Sequence, residues 1–154
     1  MRIELEPALA THKPLLRELL SDYLTEFMQY GGSGTDYPYF DAYWEQHDNR
    51  WPVLICRDGR CVGFAFVNTW SPSGRGTDFA IAEFYVVPEA RGRGVGFEAA
   101  QAILKSRSGQ WELSIMALNA PARKFWPKVI EAIGAAGVER IVSDDGTIYR
   151  FRMV

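Results

Sequence analysis

EFYVVPEARGRGVG, running from Glu83 to Gly96, puts a strand, a turn and a helix start side by side. Phe84-Tyr85-Val86-Val87 is an unbroken apolar run and reads as a buried strand; Pro88, which cannot donate to a sheet ladder, stops it. Arg91-Gly92-Arg93-Gly94-Val95-Gly96 follows as a glycine-rich, doubly basic turn. Phe97 to Lys105 is made of good helix formers. A strand, a glycine turn and a helix N-terminus together form an anion site. Without side chains the backbone N–H groups can face a phosphate, and the helix dipole adds favourable potential.

Three kinds of phosphate loop share this outline. A P-loop ends in Gly-Lys-Ser/Thr, which is absent. A dinucleotide fingerprint starts its glycines directly after the strand and has an acidic residue ending the next one. Here Pro88-Glu89-Ala90-Arg91 intervene, and the next acidic candidate, Glu112, opens its strand. The third fits: Arg91-x-x-Gly94-x-Gly96 after Val87-Pro88 resembles the acyl-CoA motif Q/R-x-x-G-x-G/A of the GNAT N-acetyltransferase superfamily. Downstream, Asn119-Ala120-Pro121-Ala122-Arg123-Lys124-Phe125-Trp126 resembles that superfamily's N-x-x-A-x-x-F-Y segment.

Composition is consistent with such a protein. The chain has 154 residues, 47% hydrophobic and 23% charged, which predicts one globular domain over 1–154. A net charge of −2 gives no electrostatic case for nucleic acid or an acidic membrane surface. No run of about twenty apolar residues is present, as a spanning helix would need. Met1 to Glu6 does not read as a signal peptide, so the expected location is cytoplasmic. Cys56 and Cys61 flank Arg57-Asp58-Gly59-Arg60, and Asp-Gly between apolar runs predicts a two-residue hairpin with the cysteines opposed. Both are expected as free thiols. Two cysteines with distant His12 and His47 do not make a metal set, so no metal is expected.

Ile3 to Glu6 alternates as a first strand ended by Pro7. From an N-cap at Thr11, a helix carries Leu15, Leu16, Leu19, Leu20, Tyr23, Leu24, Phe27 and Met28 on one broad face, expected as core, and ends at Gly31-Gly32. Thr35 to Trp51 is dense in aromatic and acidic residues, with a short helix expected over Asp41–His47. Val53–Arg57 and Arg60–Trp70 form the hairpin. Val62, Phe64, Phe66 and Asn68 are placed on one face; Cys61, Gly63, Ala65 and Val67 on the other. Apolar character on both faces predicts a sheet covered on both sides. Trp111–Leu118 reads as a strand, and Asn119 caps a helix containing Pro121 and Pro127, the latter expected to kink it or shift its start. Gly134 and Gly137 are read as its stops. Arg140–Ser143 and Ile148–Met153 make a terminal hairpin.

Spacing supports an α/β (α+β) fold with a mixed sheet. The resemblance implies a GNAT-like, mostly antiparallel central sheet with helices on both faces, and a V-shaped split between Phe79–Val87 and Trp111–Leu118 that takes pantetheine. It further implies acetyl transfer from acetyl-CoA to a primary amine by direct attack. Backbone at Val86 and Val87 would pair with pantetheine; Arg91, Gly92, Arg93, Gly94, Val95 and Gly96 would hold the pyrophosphate. Asn119, Ala122, Phe125 and Trp126 would line the far wall. Tyr37, Tyr39, Trp44 and Tyr85 are the candidate acceptor lining, since aromatic and acidic groups suit a cation. Glu83, sharing a face with Tyr85 and Val87, is the candidate general base. Trp126 stands where many relatives have tyrosine, and an indole N–H does not protonate a leaving thiolate at neutral pH. The acid therefore stays open: Tyr85, Tyr37 or water serves, or the step needs no side-chain acid. The acceptor is a small molecule or a peptide amine, and a homodimer is compatible with the fold. The alternative is a non-catalytic acyl-CoA-binding or regulatory module, which a plugged acceptor pocket would favour; a nucleotide-binding protein is the third reading.

Overall fold

A computed structural model describes residues 2–45 and 49–154. One seven-stranded sheet crosses the molecule in the order β1-β2-β3-β4-β5-β7-β6. The strands are β1 (Ile3–Pro7), β2 (Arg50–Arg57), β3 (Arg60–Asn68), β4 (Phe79–Val86), β5 (Gly109–Met116), β6 (Ala136–Ser143) and β7 (Gly146–Met153). All neighbours are antiparallel except β4 and β5, which the crossover helix α2 (Val95–Lys105) makes parallel. On one face, Leu16, Leu19, Leu20 and Tyr23 of α1 (Lys13–Phe27) pack against Phe64, Phe66 and Tyr85. On the other, α2 and α3 (Ala120–Ala132) bury Ala100, Ile103, Leu104, Trp126, Val129 and Ile130 over Trp111, Leu113 and Phe151. Both faces are covered, as the hairpin's two apolar faces require.

Two bulges reset which side chains face which layer. Ile55 pairs with Gly63 but Cys56 pairs with Cys61, so Val62 is an extra residue. This corrects the alternation expected of β3: Val62 packs with Val95 and Ala99 of α2, while Cys61 turns toward the α1 layer. The cysteines do oppose each other, and both are free. Asp58 (φ 51°) and Gly59 (φ 81°) give the left-handed pair that the two-residue turn needs. In β4, Phe66 pairs with Glu83 and Val67 with Ile81, leaving Ala82 as the extra residue.

That second bulge sits where the sheet opens. β4 and β5 pair only at Phe79–Trp111, Ala80–Glu112 and Ile81–Leu113, then diverge. The vertex is pinned by Glu112, fully buried, which accepts hydrogen bonds from Ser71 Oγ (3.0 Å), Ser73 N (3.0 Å) and Ser73 Oγ (2.9 Å) and pairs with Arg150. The loop after β3 is thereby tied across β5 and β7.

Several boundaries differ from the sequence reading. Thr11 lies inside a 3-10 turn, Ala10–His12; α1 starts at Lys13 because Pro14 is at home in a first turn, and His12 Nδ1 accepts from Leu9 N at 2.9 Å. Met28–Tyr30 continue α1 as a 3-10 turn that Gly31 ends at φ 97°. The expected helix over Asp41–His47 is a 3-10 turn at Asp41–Trp44, and His47 lies outside the described residues. β5 is shifted two residues earlier, leaving Leu118 exposed. Asn119 caps α3 through its Oδ1, which accepts from Ala122 N at 3.1 Å, and the helix spans Pro127 with its start unshifted. Gly134 stops α3, but Gly137 (φ 58°) lies in β6 at an irregularity between Ala136 and Glu139. Glycine there lets the strand bulge and begin earlier.

Candidate active site

Where β4 and β5 part, a cavity of about 660 Å³ passes through the sheet and is walled on both faces. The α2/α3 side presents Gly94, Gly96, Phe97, Ala122, Phe125 and Trp126. The α1 side presents Tyr23, Glu26, Phe27, Tyr30, Glu83 and Tyr85.

The glycine turn shapes the first side. Gly92 (φ 85°) and Gly94 (φ 79°) take left-handed conformations, and a Cβ on either would meet open space. Gly94 is the N-cap of α2 and makes no side-chain cap, so the first-turn N–H groups face out of the helix end. Val95 is buried beneath the turn. Gly96 packs on the far wall: a Cβ there would lie 3.5 Å from Phe125 Cε1. Phe125 and Trp126 meet edge to face at 4.9 Å, and Trp126 meets Phe84 likewise at 5.2 Å.

Arg91 is committed. Its Nε donates to Val86 O at 2.8 Å, and its two terminal nitrogens form a bidentate pair with Glu26 at 2.8 and 2.9 Å. Arg93 is exposed on the turn. Val87 N donates to Val62 O at 2.8 Å, so its N–H belongs to the β3 ladder. By alternation the backbone of Val86 and Phe84 faces the gap, with the Val86 carbonyl taken by Arg91. The N–H groups of Phe84 and Val86 thus face the gap, whereas the Val87 N–H is spent inside the sheet.

Glu83 is held by two phenols. Tyr23 Oη donates to Oε1 at 3.1 Å and Tyr37 Oη to Oε2 at 2.8 Å. Burial pushes its carboxyl above the ordinary carboxylate range, and the two tyrosine hydroxyls oppose that shift. Burial, then the Glu83 charge, raises the phenol pKa of both Tyr23 and Tyr37. Tyr85 is buried beside them with its ring 5.5 Å from the Arg91 guanidinium carbon.

The structure gathers Glu83, Tyr85, Val86, Arg91, Gly92, Gly94, Val95, Gly96, Asn119, Ala122, Phe125 and Trp126 around one cleft. Tyr37 touches it through Glu83. Tyr39 is 60% exposed and absent from the lining; Trp44 packs under α1 and donates Nε1 to Ala8 O at 3.1 Å. Sequence reasoning missed Tyr23, Glu26, Phe27 and Tyr30. Tyr23, Phe27 and Tyr30 stand at i, i+4, i+7, one helical face that continues past the end of α1. Among the described residues no group of three His, Cys, Asp or Glu side chains could hold a metal ion, and no helix is long and apolar enough to cross a membrane.

The family model "Acetyltransferase (GNAT) family" matches residues 15–130. No curated protein matches the chain in sequence. Among solved structures, an acetyltransferase from Thermus thermophilus aligns with TM-score 0.68 at 16% identity, covering 99% of this chain and 97% of that one. The PaiA N-acetyltransferase from Thermoplasma acidophilum in complex with coenzyme A gives TM-score 0.64 at 13% identity, covering 99% and 100%. Diaminobutyrate acetyltransferase EctA from Paenibacillus lautus, in complex with L-2,4-diaminobutyric acid and coenzyme A, gives 0.64 at 12% identity, covering 98% and 95%.

Proposed function

Because the chain belongs to the GNAT acetyltransferase family and is an acyltransferase, we propose that it transfers the acetyl group of acetyl-CoA directly to a primary amine, with Glu83 as general base. The observation that carries this reading is the through-sheet cleft: one side offers an anion-binding turn, the other a carboxylate with a raised pKa. The residues present suit coenzyme A. The two left-handed glycines leave open space before an uncapped helix N-terminus, which favours pyrophosphate. The splayed strand edge offers Val86 N–H to an amide-bearing arm, and Arg93 lies free at the turn for further charge-assisted bonds. Acetyl-CoA supplies an activated acyl group on a thiol leaving group.

The protein's share is placement and proton handling. An ammonium entering from the α1 side meets Glu83, which takes one proton and leaves the nitrogen lone pair facing the gap. The amine nitrogen bonds to the acyl carbon and passes its second proton to water, and the carbon–sulfur bond then breaks. Strand-edge N–H groups stabilise the developing oxyanion. Trp126 cannot give the sulfur its proton. Solvent entering the open cleft does so. The open, carboxylate-bearing acceptor side supports this reading over a non-catalytic CoA-binding module, which would have that side filled.

The test is thiol release from acetyl-CoA with a panel of primary amines, run on wild type and Glu83→Gln. Expected are amine-dependent turnover and a loss of about 10²-fold or more in kcat in the variant, with coenzyme A affinity kept. Wild-type turnover in Glu83→Gln removes Glu83 from the role. Failure of coenzyme A to bind removes the cofactor assignment.

A further inference from the structure

We infer that the acceptor is a primary monoamine carried on an aromatic or otherwise flat apolar body, rather than a polyamine or aminoglycoside; this rests on the acetyl-transfer reading above. Its seat is the ladder of rings that climbs α1 away from Glu83. Tyr23 holds the carboxylate through its hydroxyl, and its ring lies 4.2 Å from Phe27, centroid to centroid. Phe27 in turn lies 6.2 Å from Tyr30, edge on. All three line the cleft, and Phe27 and Tyr30 are only partly buried, so they have face left to give. A nitrogen at Glu83 therefore has an apolar track beside it.

Charge decides against polycations. A polyamine or aminoglycoside spreads several ammonium groups, and each needs a carboxylate or bulk water to replace its hydration. Among the described residues, the acidic lining of the cleft is Glu26 and Glu83. Glu26 is engaged by both terminal nitrogens of Arg91 and is no free counter-ion. One lining carboxylate remains, deep in the cleft; Asp22 and Glu89 act on Tyr85 from outside the lining, and the wall beyond Glu83 is rings. A second ammonium would be set against apolar surface, with Glu26 and Arg91 already neutralising each other.

The experiment compares kcat/KM for phenethylamine and tryptamine with that for spermidine, an aminoglycoside and ethanolamine, at saturating acetyl-CoA. The two arylalkylamines should lead by about tenfold or more, the scale on which a fitted apolar pocket discriminates. Phe27→Leu and Tyr30→Ala should each raise KM for phenethylamine by about three- to tenfold, as loss of a ring contact does, with KM for ethanolamine and for acetyl-CoA unchanged. The unchanged acetyl-CoA value also reports that the variants are folded. Equal or better turnover of spermidine, aminoglycoside or ethanolamine overturns this inference and leaves acetyl transfer standing. So does an unchanged phenethylamine KM in both variants. No turnover with any amine while coenzyme A binds overturns both readings.

Discussion

A carboxyl group in a half-dry cleft, flanked by two phenols, feels opposed forces: burial favours its proton, and each hydroxyl favours its charge. Tyr37→Phe removes one of the two donors and leaves burial in place. The acidic limb of the pH–rate profile should move upward, with kcat at low pH falling and the plateau at high pH nearly kept. A limb that stays put, or moves down, would dissociate Tyr37 from the proposed base. The same group sets a stability trend. Its folded pKa lies above the unfolded value, so the stability it contributes is full below the ordinary carboxylate range and is lost as pH rises through the folded value. Glu83→Gln should accordingly melt higher than wild type at pH 8, and that advantage should vanish in acid, as read by thermal denaturation. The opposed cysteines behave differently. Burial, then the neighbouring Glu6 carboxylate, pushes the Cys56 thiol up to about 11, so at neutral pH it is a poor nucleophile. Thiol titration should find both cysteines free, with Cys56 reacting slowly until the protein is unfolded.

At the scale of elements, the turn before α2 and the lock at the sheet vertex divide the work of building the cleft. Gly94→Val must place a β-branched residue at φ 79°, at a strain of about 1–3 kcal/mol, and puts its side chain where an anion would approach the helix end. Calorimetry should show coenzyme A binding weakened at least tenfold while circular dichroism shows a folded protein. Gly96→Val acts otherwise, pressing on Phe125 rather than on the anion site. Glu112→Ala takes the carboxylate from the largely covered Arg150 side chain, which keeps only the Ser73 hydroxyl and the Gly76 carbonyl, and frees the loop after β3, at a cost of about 3–5 kcal/mol. Urea denaturation should register that loss. These elements differ in how plainly the sequence displays them. The glycine turn and the Asn119 cap are local chemistry, with every residue they need within a few positions. The proposed acceptor side is not local. Tyr23, Phe27 and Tyr30 have ordinary helical core spacing, and what turns them from core into cleft wall is the parting of strands far along the chain. Tyr39 and Trp44 are drawn in by composition, which carries no direction. The face of Val62 is misread from alternation because a bulge changes the parity of every residue beyond it.

For the molecule as a whole, the parting of β4 and β5 means that a ligand bound between them would brace the structure as well as react there. Coenzyme A at about 100 times its Kd should raise stability by about 2.7 kcal/mol through mass action, visible as a rise in Tm that ATP and NAD do not give. The sheet's wiring also has a temporal side. The β2–β3 and β6–β7 pairs are hairpins closed by short turns, whereas β4 meets β5 only across the α2 crossover and through three pairs. Contacts of low sequence separation form early, and parallel crossovers close late because their loop entropy comes first. The cleft should therefore be the last part of the molecule to assemble and the first to open. In pulse-labelled hydrogen exchange, amides of β2 and β3 should gain protection ahead of those of β5, and coenzyme A should slow unfolding without hastening the earliest phase of refolding.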